Sequence, residues 1–179
     1  MHPTHNTLPE NTRRQVADVL GGRLVDVNDL YFQAKTAHWN VKGPNFIALH
    51  KLFDKVAECA AEWSDLIAER IVQLGGIAEG TVQVVAERTS LEQYPTSLVD
   101  EHDHVHAISA ALARLGELVR EGIKETEDLE DMGTSDLLID VVRDVDKLLW
   151  FVEAHLGEEH FAHAHGARRA ATRGHASRR

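Results

Sequence analysis

The sequence predicts an all-α fold: a four-helix bundle with a long crossover between its second and third long helices. Three observations point there. Four long stretches carry apolar residues at helical spacing. Their separations are short except one, "GGIAEGTVQVVAERTSLEQYP", between the second and third. In an up-down-down-up bundle one connection must run the length of the bundle, and only this one is long enough.

Taken in order, the first helix is expected from about Asn11 to Trp39, with Val16, Leu20, Leu24, Val27, Tyr31 and Ala34 on one stripe. The second is expected from about Asn45 to Leu74, halted by Gly75-Gly76. The third begins after Pro95-Thr96-Ser97 and reaches about Glu127, carrying Val105, Ile108, Leu112, Leu115 and Val119. The fourth runs from Thr134-Ser135 to about His160 with Leu138, Val141, Val145, Leu148, Val152 and Leu156. Thr96 or Ser97, and Thr134 or Ser135, are the expected N-caps. "TVQVVAE" in the crossover is read as a strand-like or short helical piece. The chain divides into an N-terminal tail (1–11), the bundle (12–160) and a basic, mobile C-terminal tail (161–179).

Composition narrows the function classes. Hydrophobic residues make up 43% and charged residues 27% of the 179 residues, a globular balance. The single cysteine, Cys59, rules out a disulfide framework or a cysteine-based zinc motif and suits a reducing cytoplasm. No opening signal segment and no apolar run of about 20 residues is visible, so a soluble, cytoplasmic protein without a membrane span is expected. The net charge of −10 is uneven. From Gly166 onward the chain carries Arg168, Arg169, Arg173, Arg178 and Arg179 and no acid; removing those five charges leaves −15 on residues 1–165.

The second helix raises the chemical question. Turned at 100° per residue, Leu49, Phe53, Val56, Ala60, Trp63, Ile67, Ile71 and Leu74 share one face. His50, Asp54, Glu58, Glu62, Asp65 and Glu69 gather on the other, a pattern that also describes an ordinary solvated face. Asp54 and Asp65 stand about 16 Å apart along a helix and cannot share a metal within one chain. Positions 54 and 65, however, have the same midpoint as 50 and 69. Two copies of this helix crossing antiparallel about a two-fold axis near Cys59 and Ala60 would set Asp54 against Asp65 and His50 against Glu69 of the mate. A hairpin pivoting at Pro44 brings His38 opposite His50. His38, His50 and Asp54 then make one half-site, completed by Asp65 and Glu69 of a second copy. Imidazole and carboxylate ligands around an open dinuclear site suit iron or zinc and favour iron redox chemistry.

"KTAHWNVKGPNFIALHKLFD", followed by "DLIAERIVQLGG" and later "LLIDVVRDVDKLLWFVEAHL", resembles Dps, the DNA-binding protein from starved cells, a ferritin-like mini-ferritin. The likeness covers roughly residues 12–157. It implies a ferroxidase centre between two-fold-related subunits with His38, His50, Asp54, Asp65 and Glu69 as ligands. It further implies a hollow homo-dodecamer that oxidises Fe(II), preferentially with hydrogen peroxide, and stores a ferric mineral core. Lys35 matches a family position that hydrogen-bonds near the centre. Trp39, beside it, is either an electron donor and radical sink or a packing aromatic. Asp131, Asp136 and Asp140 match the acidic lining of the family's three-fold iron entrance; the alternative is helix-start acids complementing the macrodipole.

Three features stand outside that pattern. Glu101 and His104 form an E-x-x-H element without a second copy, which disfavours a diiron site inside one subunit. His102, His104 and His106 are read as solvated histidines spaced by two and sharing no helical face. The tail "HFAHAHGARRAATRGHASRR" suits phosphate contacts through its five arginines, giving non-specific DNA binding and nucleoid association. The competing function is therefore a nucleoid-compacting DNA-binding protein with little ferroxidase activity.

Overall fold

The computed structural model describes residues 1–156, and among them the chain is all-α. Five helices follow in order: α1 (Glu10–Asn40), α2 (Phe46–Gln73), α3 (Val82–Arg88), α4 (Glu101–Asp128) and α5 (Met132–Glu153). α1 packs along α2, α4 along α5, and α1 joins the two hairpins through α4. Glu101, at the start of α4, hydrogen-bonds Asn45 at the start of α2. These two helices thus begin at the same end and run parallel, so a crossover of bundle length must join them. α3 lies within it and packs on α1, which makes the "TVQVVAE" piece helical.

The expected apolar stripes form one core. From α2, Leu49, Phe53, Val56, Ala60, Trp63, Ile67, Ile71 and Leu74 are all buried. They meet Val16, Leu20, Leu24 and Val27 of α1, Val105 to Val119 of α4, and Leu138 to Val152 of α5. Truncating one of the large members to Ala would cost about 2–5 kcal/mol. Tyr31 is only half-buried. Cys59 is a buried free thiol, in keeping with its reading as a small packed residue.

Helix starts differ from expectation in an instructive way. α4 is capped by Asp100, whose carboxylate accepts from the His102 N–H, rather than by Thr96 or Ser97. α5 is capped by Asp131, which accepts from the Thr134 N–H, rather than by Thr134 or Ser135. A carboxylate accepts the orphan N–H and also complements the positive end of the helix dipole, so aspartate displaced the nearby hydroxyl residues. α5 ends at Glu153, short of the expected His160. The N-terminal segment, expected as a tail, folds back. The His2 N–H donates to the Gly75 carbonyl at 2.6 Å, and Arg13 Nη1 donates to the Leu74 carbonyl at 2.8 Å. No helix among the described residues is long and apolar enough to cross a membrane. The tail with Arg168, Arg169, Arg173, Arg178 and Arg179 lies outside the described residues.

Candidate metal centre

The site is built by the turn between α1 and α2. α1 ends at Asn40, and the chain reverses through Gly43 before Phe46 opens α2. Gly43 sits at φ 147°, a conformation available to glycine with little penalty. A Cβ there would also fall within 2.2 Å of Glu101 Oε2. Glu101 holds the turn from α4, accepting from the Asn45 N–H at 3.0 Å and from Asn45 Nδ2 at 2.7 Å. Sequence reasoning met Glu101 only as half of an E-x-x-H element and missed this tethering role, because the partner is 56 residues away.

The reversal brings His38 opposite His50. Their rings stack with centroids 3.7 Å apart and an angle of 21°. Each Nδ1 bonds the backbone carbonyl of the other residue: His38 Nδ1 to the His50 carbonyl at 2.7 Å, and His50 Nδ1 to the His38 carbonyl at 2.8 Å. A carbonyl only accepts, so each Nδ1 carries the hydrogen. In the neutral ring Nε2 is then the lone-pair nitrogen, the state a metal ligand needs, and the carbonyl bond fixes ring orientation as well as tautomer. This reciprocal bonding was invisible in the spacing, which could place two rings together but not choose a ring nitrogen.

Asp54 lies one turn after His50. Its Oδ1 is 3.8 Å from His38 Nδ1 and accepts from Lys35 Nζ at 2.7 Å. The Lys35 hydrogen bond, more than any other influence, holds the Asp54 carboxyl below its ordinary range. Lys35 thus neutralises the carboxylate and also approaches the Trp39 ring, 5.9 Å from its centroid. Trp39 is 67% exposed, so it does not pack within its own chain. Asp65 and Glu69 are on the exposed face of the same helix, about three and four turns beyond Asp54. The single chain therefore gathers Lys35, His38, His50 and Asp54 and leaves Asp65 and Glu69 apart. Among the described residues no three His, Cys, Asp or Glu side chains are grouped to hold a metal ion.

Comparison with known proteins places this geometry. The family model described as "Ferritin-like domain" matches residues 18–160. The DNA protection during starvation protein of Agrobacterium fabrum is 41% identical over 158 residues, covering 88% of this chain and 98% of that one. The solved structure of Mycobacterium smegmatis Dps in its tetragonal form superposes with a TM-score of 0.83 at 34% identity, covering 88% of this chain and 95% of that chain. DpsC from Streptomyces coelicolor gives 0.82 at 31% identity, covering 88% and 91%. The chain belongs to the Dps family.

Within this Dps chain the acidic residues near α5 separate. Asp136 and Asp140 are exposed on the helix surface, with Asp140 paired to Arg143. Asp131 is not available to line a channel. It is 3% exposed, caps α5, and receives Arg70 Nη2 at 2.8 and 3.0 Å. Asp131 is thereby removed from the acids expected at the entrance, while Asp136 and Asp140 stay exposed. The histidine reading is corrected as well. His104 is buried at 1% exposure and bonds the Tyr94 hydroxyl. His102 and His106 stand four residues apart and do share a face, with ring centroids 4.5 Å apart.

Proposed function

We propose that this Dps protein is a ferroxidase that oxidises Fe(II), preferentially with hydrogen peroxide, and stores the ferric product as mineral inside a hollow homo-dodecamer in the cytoplasm. The observation that carries this reading is the reciprocal Nδ1–carbonyl bonding of His38 and His50, which leaves the lone pair on each Nε2, with Asp54 Oδ1 3.8 Å from the His38 ring. Asp65 and Glu69 of a second copy, crossing antiparallel about a two-fold axis, supply the remaining carboxylates. The donor set fits iron as substrate, since imidazole nitrogen and carboxylate oxygen tolerate both Fe(II) and Fe(III).

This chain's residues do three things in that chemistry. The hairpin holds the two rings at fixed separation, so two Fe(II) substrates bind within reach of one oxidant molecule. Lys35 keeps Asp54 ionised and compensates its charge until a cation displaces the ammonium. The carboxylates offset the charge gained as iron becomes ferric. Two Fe(II) ions deliver the two electrons that convert one peroxide, with two protons, into two waters, and no hydroxyl radical is released. Removal of Fe(II) and peroxide together is how such a protein shields DNA, the role in the names of its curated relatives. Asp136 and Asp140, repeated around a three-fold axis, would draw Fe(II) inward. The five tail arginines add non-specific contacts to DNA phosphates.

The test is replacement of His38 and His50 by Ala. The variant is expected to assemble as the wild type does while peroxide-driven Fe(II) oxidation slows sharply. Wild-type kinetics in an intact shell would remove the assignment.

A further inference from the structure

A second pair of buried groups is not used by that chemistry. Tyr94, from the crossover, and His104, on the first turns of α4, are 8% and 1% exposed. The Tyr94 hydroxyl bonds His104 Nδ1, with the rings 23° from parallel. His104 Nε2 is buried with no hydrogen-bond partner among the described residues. This fixes the direction of the bond. If Nδ1–H donated, both the phenol hydrogen and the Nε2 lone pair would go unsatisfied; with the phenol donating, only the Nε2–H does. Burial pushes the Tyr94 phenol up and the His104 imidazole down, so both partners are neutral near pH 7. The buried Nε2–H left without a partner is a cost that packing alone does not explain.

The pair is reachable. Tyr94 lines a cavity of about 380 Å³ together with Gln33, Pro95, Ala107 and Arg114. The Glu101–Asn45 contact puts the start of α4 at the same end of the bundle as the His38–His50 hairpin.

We propose that Tyr94 and His104 form a redox-active pair, in which Tyr94 yields one electron to an oxidant of the hydroxyl-radical class while its phenolic proton moves to Nδ1 of His104. The electron reduces the hydroxyl radical to hydroxide, leaving a neutral tyrosyl radical and an imidazolium. One Fe(II) then returns an electron, becoming Fe(III), and the proton goes back to the phenolate oxygen. The pair thereby disposes of the radical formed when a lone Fe(II) meets peroxide. Only that source of oxidant and reductant rests on the ferroxidase reading; the pair itself requires no iron.

The test uses the iron-free assembled protein and a photogenerated ruthenium(III) polypyridyl oxidant, so its outcome does not depend on Fe(II) oxidation. The chain has two tyrosines; Tyr31→Phe leaves Tyr94 alone. In that background a neutral tyrosyl radical is expected by transient absorbance and electron paramagnetic resonance, and deuterated buffer should slow its formation. His104→Gln keeps an acceptor but not a base, and should slow formation roughly 100-fold, the scale of a positioned proton acceptor. Absence of the tyrosyl signal overturns the proposal. So does formation that is equally fast in His104→Gln or unaffected by deuteration.

Discussion

Replacing Gly43 with Ala perturbs the turn that sets the histidine register, and its cost can be worked out in two parts. A side chain at φ 147° is strained whatever surrounds it, by about 1–3 kcal/mol. The new Cβ would also overlap Glu101 Oε2 and Cδ, at 2.2 and 2.6 Å, and so expel the carboxylate from Asn45. Its two hydrogen bonds at 3.0 and 2.7 Å are exposed and contribute about 0.5–1.5 kcal/mol each. Gly43→Ala should therefore destabilise by about 2–6 kcal/mol, with each kcal/mol lowering Tm by about 2–4 °C in a chain of this size. Glu101→Ala alone loses only the hydrogen bonds. In the Glu101→Ala background the clash is absent, and Gly43→Ala should cost only the backbone strain. A double-mutant cycle by chemical denaturation should thus show a coupling of about 1–3 kcal/mol. Additive effects would refute the claim that Glu101 fills the space a side chain would need.

Three further perturbations concern charge. Asp136→Asn with Asp140→Asn should slow iron uptake at low salt and do so less as screening shortens the field to about 10 Å at 0.1 M; unchanged low-salt uptake would place the entrance elsewhere. Asp131→Asn should instead lower Tm, because it weakens the α5 cap and leaves the largely buried Arg70 without its counter-ion, at a cost of about 3–5 kcal/mol. Deleting residues 166–179 should abolish salt-sensitive retardation of duplex DNA in gels while sparing assembly and iron oxidation; equal retardation by the truncated protein would remove the arginines from that role.

Much of this was legible in the sequence because it depends on periodicity. The α2 wheel separates Leu49–Leu74 from His50–Glu69 without reference to any other segment, and Pro44 sets 38 against 50 by counting alone. What stayed hidden depends on partners distant in sequence or on single atoms. His104 looked solvated because nothing within one turn showed that Tyr94 of the crossover would cover it. Asp131 looked like a pore acid because Arg70, 61 residues away, could not be foreseen as its counter-ion. Asp100 does not stand out as a cap in the sequence because Thr96 and Ser97 offer the same chemistry one turn earlier. The choice of Nδ1 over Nε2 at His38 and His50 required coordinates.

A centre shared between two copies can be measured directly by mixing two defective chains. One variant carries His38→Ala with His50→Ala, the other Asp65→Ala with Glu69→Ala, and the two are dissociated, mixed in equal amounts and reassembled. Each variant alone lacks a functional centre. In a mixed two-fold pair, one centre combines both sets of lesions and the other has none, so random pairing restores about a quarter of the centres. Peroxide-driven Fe(II) oxidation should therefore return to about a quarter of the wild-type rate, on the basis of that count. No recovery in correctly assembled mixed particles would contradict a site built from two chains.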